Sequence, residues 1–443
     1  MHKGFSGKRT WKDARSIAFC IPLIIILTMS GPALANPGDL SNGFGNNGVF
    51  HHLMGTGSNL NGWARSVAIQ GNGKIVTAGE AWAGNKRRFA LARYTINGDL
   101  DPSFGGDGKV QTKFGSKSSA TSVAIQGNRK IVAAGWKLQN NGTYRFALAR
   151  YETNGNLDFS FSGNGKLVTP IGAESFAHAV AIQPLDQKIV VAGSATVANN
   201  DGFALARYLP NGAPDNGFDS DGEVHTPLGL RSGATSVAIQ SNGQIVAAGN
   251  ANTTTTNSVF ALARYNSSGA LDNGFSGGGG TVTIPFGPPS TSNAGADSLA
   301  IDGSGMIVAA GFSGHGTNSR FALVRYDPLL GTLDTNFDVD GKVTTNIAAY
   351  SGAHSVAIQG NGKIVAAGFG VQAGKGRFAV ARYEPVAGAL DSSFGNGGKV
   401  KTLIGTDGFA DSVVIQPSNG KIVVAGGTVV GNKFRFAVAR YDD

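Results

Sequence analysis

A carboxylate, an imidazole and a second carboxylate, Asp297, His354 and Asp411, stand at equivalent points of three consecutive repeats, 57 residues apart each time. Side chains of these types can hold a divalent cation or grip a polar ligand if the fold brings them together. The same point in the other four copies carries Arg65, Thr121, His178 and Thr235. The surrounding residues barely change from copy to copy, so this position marks a candidate ligand ring at a channel mouth. The plainer alternative is that unlike polar residues there simply face water.

Two further sets could carry chemistry. Arginines recur at Arg93, Arg150, Arg207, Arg264, Arg325, Arg382 and Arg440, and acids follow eight or nine residues later at Asp101, Asp158, Asp215, Asp272, Asp334 and Asp391, with Ser41 in the acid's place for the seventh. Chemistry does not need seven copies of one pair, so a structural Arg-carboxylate bridge is predicted, for which bidentate geometry favours Arg over Lys. FDSDG at Phe218 and FDVDG at Phe337 hint at calcium through alternating acids before a glycine. The equivalent FGGDG, FSGNG, FSGGG, FGNGG and FGNNG lose the carboxylates, which favours a plain turn.

Enzyme signatures are missing. The sequence has no Gly-x-Ser-x-Gly elbow, no His-Glu-x-x-His and no phosphate-cradling Gly-x-x-x-x-Gly-Lys-Ser/Thr. The single cysteine, Cys20, precedes Asn36. From Asn36 on, disulfides, thiolate metal sites and cysteine nucleophiles are therefore excluded. No cofactor is expected beyond the possible cation at Asp297, His354 and Asp411.

The elements that must position these residues follow from the repeat. SVAIQ begins at Ser66, Ser122, Ser236 and Ser355 and returns as AVAIQ at Ala179, SLAID at Ser298 and SVVIQ at Ser412, with start-to-start spacings of 56, 57, 57, 62, 57 and 57 residues. Such a period marks a repeat architecture. Each copy reads as four short strands, a to d, rich in Val, Ile, Phe and Tyr and bounded by Gly, Asn and Asp. Strand b is apolar at consecutive positions, as in Ile189, Val190 and Val191, and should be buried on both faces. Strand c alternates, with Phe146, Leu148 and Arg150 on one side and Ala147, Ala149 and Tyr151 on the other.

The last copy stops at FAVARYDD without a strand d, while residues 38–50, GDLSNGFGNNGVF, align with GNLDFSFSGNGKL at 155–167. An N-terminal strand can thus complete the seventh unit and close a ring, leaving no sheet edge exposed. The fold expected is all-β: a seven-bladed β-propeller of four-stranded blades over 36–443, with a β-solenoid as the alternative. The motifs GKIV-x-AG, F-A-[LV]-[AV]-RY, G-x-L-D-x-x-F and DGKV-x-T make the repeat similar to the bacterial delta-60 repeat family, whose strand order resembles that of Kelch propellers. The resemblance spans 36–443 and implies export and a propeller, and it brings no activity or catalytic residues.

Lys3, Lys8, Arg9, Lys12 and Arg15, the apolar run from Ile17 to Met29 and Ala33-Leu34-Ala35 read as a signal peptide over 1–35. An uncleaved anchor is the alternative, since the apolar run nears the shortest spanning length. Export to the periplasm or the extracellular space follows from the first reading. Over 36–443 the sequence holds 32 basic and 27 acidic side chains. They are unevenly placed. Propeller connectivity puts the b-to-c and d-to-a loops on one face, where fifteen basic and six acidic residues fall, with Lys86, Arg87 and Arg88 the densest run. That bias favours an anionic polysaccharide, a lipopolysaccharide or a protein partner, with nucleic acid not expected. The sequence therefore predicts an exported, monomeric, non-enzymatic propeller that binds through its variable basic face. The alternatives are a hydrolase or lyase of extracellular polysaccharide using His178, His354, Asp297 and Asp411, and a purely structural envelope or surface protein.

Overall fold

The computed structural model describes residues 35–255, 257–287 and 293–443. The leader expected over 1–35, including Cys20, lies outside the described residues except for Ala35. Among the described residues no helix is long and apolar enough to cross a membrane.

The strands assemble into seven antiparallel sheets of four, each ordered a-b-c-d. Blade 1 is Gly62–Ile69, Ile75–Ala83, Lys86–Tyr94 and Lys109–Thr112. Blade 7 is built from Asp407–Ile415, Ile422–Val430 and Lys433–Tyr441, with Val49–His52 as its outer strand. His52 pairs with Phe436 as Thr112 pairs with Phe89, so the N-terminal strand takes the register of the strands it replaces. Inner strands touch in succession around the ring, and that of blade 7 touches that of blade 1. The protein is a closed seven-bladed β-propeller, not a solenoid.

Seven apolar cores lie between the blades. In one of them, Phe146 and Leu148 of blade 2 meet Ile189, Val191, Ala204, Ala206 and Tyr208 of blade 3. Ala147, Ala149 and Tyr151 instead face Phe89 and Leu91 of blade 1. Small alanines on one side of strand c let large side chains from the previous blade reach the sheet. Strand b serves both cores, with Val132 and Ala134 on one side and Ile131 and Ala133 on the other. Its continuous apolar run has this cause, and each fully buried side chain contributes roughly 1.5–3 kcal/mol.

Polar groups of the repeat tie blade to blade. The Ser66 hydroxyl accepts from the Val123 N–H at 3.1 Å, and Ser412 accepts from Val67 at 3.2 Å across the closure. Blade 3 carries Ala179 in the serine's place. The buried tyrosine of strand c donates to a threonine of the previous blade's strand d, as Tyr151 does to Thr112 and Tyr208 to Thr169, both at 2.7 Å. At the closure His52 takes the threonine's role, 2.8 Å from the Tyr94 hydroxyl. Ile284 occupies the threonine position of blade 4, and the Tyr326 hydroxyl is buried without a partner among the described residues.

The repeated arginines are part of this frame. Arg93, Arg150, Arg207, Arg264, Arg325 and Arg382 each place Nε 2.6–2.7 Å from Asp101, Asp158, Asp215, Asp272, Asp334 and Asp391. Each guanidinium also lies over the phenylalanine of its LD-x-x-F turn, as Arg150 does over Phe161 at 4.8 Å. Arg150 reaches on to the Pro210 carbonyl of blade 3, so one side chain links a strand, a turn and the next blade. The seventh copy departs from the pattern. Arg440 lies over Phe44 at 4.6 Å and donates to the Ile96 carbonyl at 2.7 Å, but its Nε has no partner among the described residues. Ser41 instead bonds Asp442, which pairs with Lys421 at 2.7 Å.

The second acids of FDSDG and FDVDG serve turns. Asp221 accepts the Glu223 N–H at 2.8 Å and Asp340 the Lys342 N–H at 3.0 Å, as Asp107 does for Lys109.

Candidate functional site

The seven non-repeating residues occupy one structural position. Arg65, Thr121, His178, Thr235, Asp297, His354 and Asp411 are each the extra residue of a β-bulge within strand a. The sequence reading placed them just before the strand. The strand in fact begins three or four residues earlier, and the bulge breaks the alternation that would have revealed its first half. The bulge also accounts for the glycine of GKIV-x-AG. A Cβ at Gly79 would stand 2.0 Å from the Trp63 carbonyl oxygen, and the other six copies show the same approach.

Several ring residues bind the neighbouring blade. Thr121 donates to the Ala177 carbonyl at 2.9 Å and Thr235 to Ala296 at 2.7 Å, while His354 Nδ1 lies 2.9 Å from the Ala410 carbonyl. Asp411 accepts from Trp63 Nε1 at 2.6 Å and from Arg65 at 3.3 Å. Burial raises the Asp411 carboxyl above its ordinary value despite Arg65, His354 and Trp63. Asp297 is pushed up to about 6, by burial first and then by the Asp411 charge, with His354 opposing. Burial lowers His178 to about 4. No three His, Cys, Asp or Glu side chains among the described residues come close enough to hold a metal ion. Asp297, His354 and Asp411 stand on successive blades, and groups of the neighbouring blade engage His354 and Asp411.

The structure adds aromatic residues that the sequence reading did not single out. Trp63, Trp82, Tyr350, Phe369, Phe409 and Phe434 join Arg65, Glu80, His354 and Asp411 around a cavity of about 480 Å³ where blades 6, 7 and 1 meet. Trp63 lies 5.6 Å from Phe434 and 6.1 Å from Phe409, and Phe409 lies 5.9 Å from Phe369. Arg65 sits over Trp63 at 5.4 Å and contacts Glu80 at 3.4 Å. Arg87 takes the other Glu80 oxygen at 3.1 Å and lies over both Trp82, at 5.0 Å, and Trp136, at 5.7 Å. The order Asp411, Arg65, Glu80, Arg87 alternates charge along an indole-backed strip, and guanidinium groups are favoured over such rings. One signal could have found the strip: the three tryptophans of 36–443 all fall where the copies differ.

The basic run divides by strand geometry. Lys86 is exposed at the b-to-c turn, Arg87 lies across from Trp82, and Arg88 is half-buried. Of the fifteen cations on this face, Arg65, Arg87 and Arg231 alone form ion pairs among the described residues. The opposite face behaves differently. Lys74, Lys130, Lys188 and Lys363 each join an arginine on one aspartate, at 2.7, 2.8, 3.1 and 2.7 Å. Positive charge is neutralised where the fold uses it and, among the described residues, mostly unpaired on the variable face.

A closed ring of seven four-stranded blades with a variable inner rim defines a β-propeller carrying a candidate ligand face. Seven segments, 70–104, 126–161, 186–218, 240–275, 303–337, 359–394 and 418–442, match the family described as domain of unknown function (DUF5122) beta-propeller. The chain belongs to this family. No curated protein matches it. Solved structures with a similar fold include a protein of unknown function from Dyadobacter fermentans, 12% identical over 89% of this chain and 99% of that one, TM-score 0.46. Polysaccharide lyase Uly1 is 11% identical over 85% and 89%, TM-score 0.48. Sqt1 from Chaetomium thermophilum is 11% identical over 89% and 100%, TM-score 0.45. At these identities the likeness concerns the fold alone.

Proposed function

We propose that the protein is an exported, non-catalytic propeller that binds an acidic glycan through the face bearing the b-to-c and d-to-a loops. Its repeats are read as delta-60 units with Kelch-like strand order. The observation that carries the reading is the contrast in charge pairing between the two faces. Unpaired cations around an aromatic-lined cavity suit a hydroxyl-rich polyanion, since they attract it at long range and the rings accept its C–H surfaces. The test is a binding screen of acidic polysaccharides and lipopolysaccharide at low and high salt. Binding that weakens with salt, and weakens further when Lys86, Lys137 and Arg145 are replaced by Ala, is expected. Salt-insensitive binding to a neutral glycan or a protein would overturn the charge argument. Analysis of the incubated polysaccharide for shortened chains tests hydrolysis or elimination in the same experiment, because His354 and Asp411 border the cavity.

A further inference from the structure

The aromatic surface does not end at the cavity. Arg87 carries it to Trp136 of blade 2, which lies 5.1 Å from Tyr144 and 6.4 Å from Phe176 of blade 3. Tyr144 and Phe176 stack at 4.5 Å. A crescent of half-buried and exposed rings therefore follows the inner rim from Phe369 in blade 6, through Phe409, Trp63 and Trp136, to Phe176 in blade 3. Blade 4 interrupts it, with Gly233 and Asn250 at the two rim positions where each other blade carries one ring; blade 5 carries Phe312, which borders a smaller cavity of about 270 Å³ with Tyr350 and Phe369. At the blade 3 end lies a polar cavity of about 390 Å³ bordered by Glu174, His178, Asp201, Arg231 and Asn250.

We infer that the crescent is a run of stacking subsites for one extended acidic glycan chain, laid along the rim over blades 6, 7, 1, 2 and 3. The inference rests on the glycan-binding reading above and specifies its geometry. Three features favour a linear polymer over a single sugar. The aromatic centres succeed one another along one path. Arg65 and Arg87, 40% and 34% exposed, carry more N–H donors than Glu80 and Asp411 take, and so offer partners between the rings for sugar hydroxyls and carboxylates. Lys86, Lys137 and Arg145 stand on the blades the path crosses and, among the described residues, have no ion pair. A carboxylate or sulfate on each sugar would meet such cations in turn, and linked weak contacts combine into strong binding.

The three tryptophans of 36–443 all lie on the proposed path, so intrinsic fluorescence of residues 36–443, which leave out Trp11, reports occupancy directly. The experiment titrates oligogalacturonates, oligomannuronates and heparin oligosaccharides, each from disaccharide to decasaccharide, at low salt. Affinity is expected to climb with length by about tenfold or more and then level off, and Trp136→Ala to cost the long chains about tenfold and so flatten that climb. Trp136→Phe keeps the ring and should restore most of the loss, and thermal midpoints establish that both variants fold. Equal affinity at all lengths, or long-chain binding untouched by Trp136→Ala, overturns the extended site while the basic-face reading stands. No saturable response to any acidic oligosaccharide overturns both.

Discussion

Asp158→Asn removes one charge from an Arg-Asp pair that the structure repeats six times and that a lysine joins in four of them. Asp158 is 3% exposed and faces Arg150, 5% exposed, at 2.6 Å and Lys130, 22% exposed, at 2.8 Å. Asparagine preserves the shape and can still accept the Ser160 hydroxyl and N–H bonds, so charge is the main loss. Lys130 retains Glu152 at 3.0 Å and can turn to water, whereas Arg150 is fixed over Phe161 and cannot follow. Stranding one buried charge costs 3–5 kcal/mol, and relief at Lys130 sets the expectation at the lower end, about 3 kcal/mol. Denaturant unfolding should show the midpoint falling with the slope unchanged. Asp107→Asn is the control, because Asp107 is 60% exposed in its pair with Lys109 and should cost below about 0.5 kcal/mol. A loss at Asp158 no larger than that control would refute the view that these clusters hold the blades.

Ile284→Thr should stabilise the protein by up to about 1 kcal/mol in the same assay, by giving the buried Tyr326 hydroxyl its missing partner. Ser41→Asp restores the repeat's acid at the closure yet should destabilise, because Asp442 already stands there; adding Asp442→Asn should reverse the loss. Burial, opposed in part by its contact with the Leu53 carbonyl, lowers His52 to about 4 from 6.5. A lowered folded-state value means that stability present above pH 6.5 is lost as pH falls towards 4. His52 should therefore account for about 2 kcal/mol of loss between neutral pH and about pH 5, and His52→Gln should flatten that slope. At Asp101, Asp158 and Asp391 burial alone would raise the carboxyls, but bonds from lysine and serine and the arginine charge hold them well below the usual range. Their contribution is intact above the unfolded carboxylate value and should fade only in stronger acid, giving a second, later acid transition.

What the sequence made legible and what it hid have separate physical causes. The repeat exposed what recurs from blade to blade: the doubly apolar strand b and the alternating strand c in seven copies, the Arg-Asp pairs in six, and the segment 38–50 that leads into the one displaced outer strand. The first half of strand a escaped because the bulge at Arg65 and its equivalents shifts the alternation by one. The aromatic crescent escaped for the opposite reason. Trp63, Phe409 and Trp136 occupy positions whose occupants change from blade to blade, so no periodicity flags them, and only the ring brings residues 346 apart, such as Arg65 and Asp411, into contact. At Asp297, His354 and Asp411 the spacing shows one position on successive blades but not what each side chain touches, which the neighbouring blade sets, as the Ala410 carbonyl does for His354.

The bulge explains how one chain can be rigidly repetitive and locally variable. Residues on either side of it, such as Ala64 and Val67, are buried in the interblade cores, which leaves little latitude in their size. The bulged residue stands outside that alternation. Threonine, histidine, aspartate and arginine are all accommodated there, and each finds a partner of a different kind or none. A glycine on strand b is a constant requirement, since any larger residue would meet the carbonyl two residues before the bulged one. Variation at the bulged residue is thereby uncoupled from the packing that keeps the ring closed, whereas a large ring two residues earlier needs room on the neighbouring blade: a Cβ at Gly427 of blade 7 would meet the Trp63 ring at 2.2 Å, and one at Gly376 of blade 6 the Phe409 ring at 2.5 Å. A surface suited to a particular ligand can arise on such a frame by few substitutions, charged ones singly and aromatic ones with a glycine opposite, and this is why the unlike residues of the copies carry the functional information.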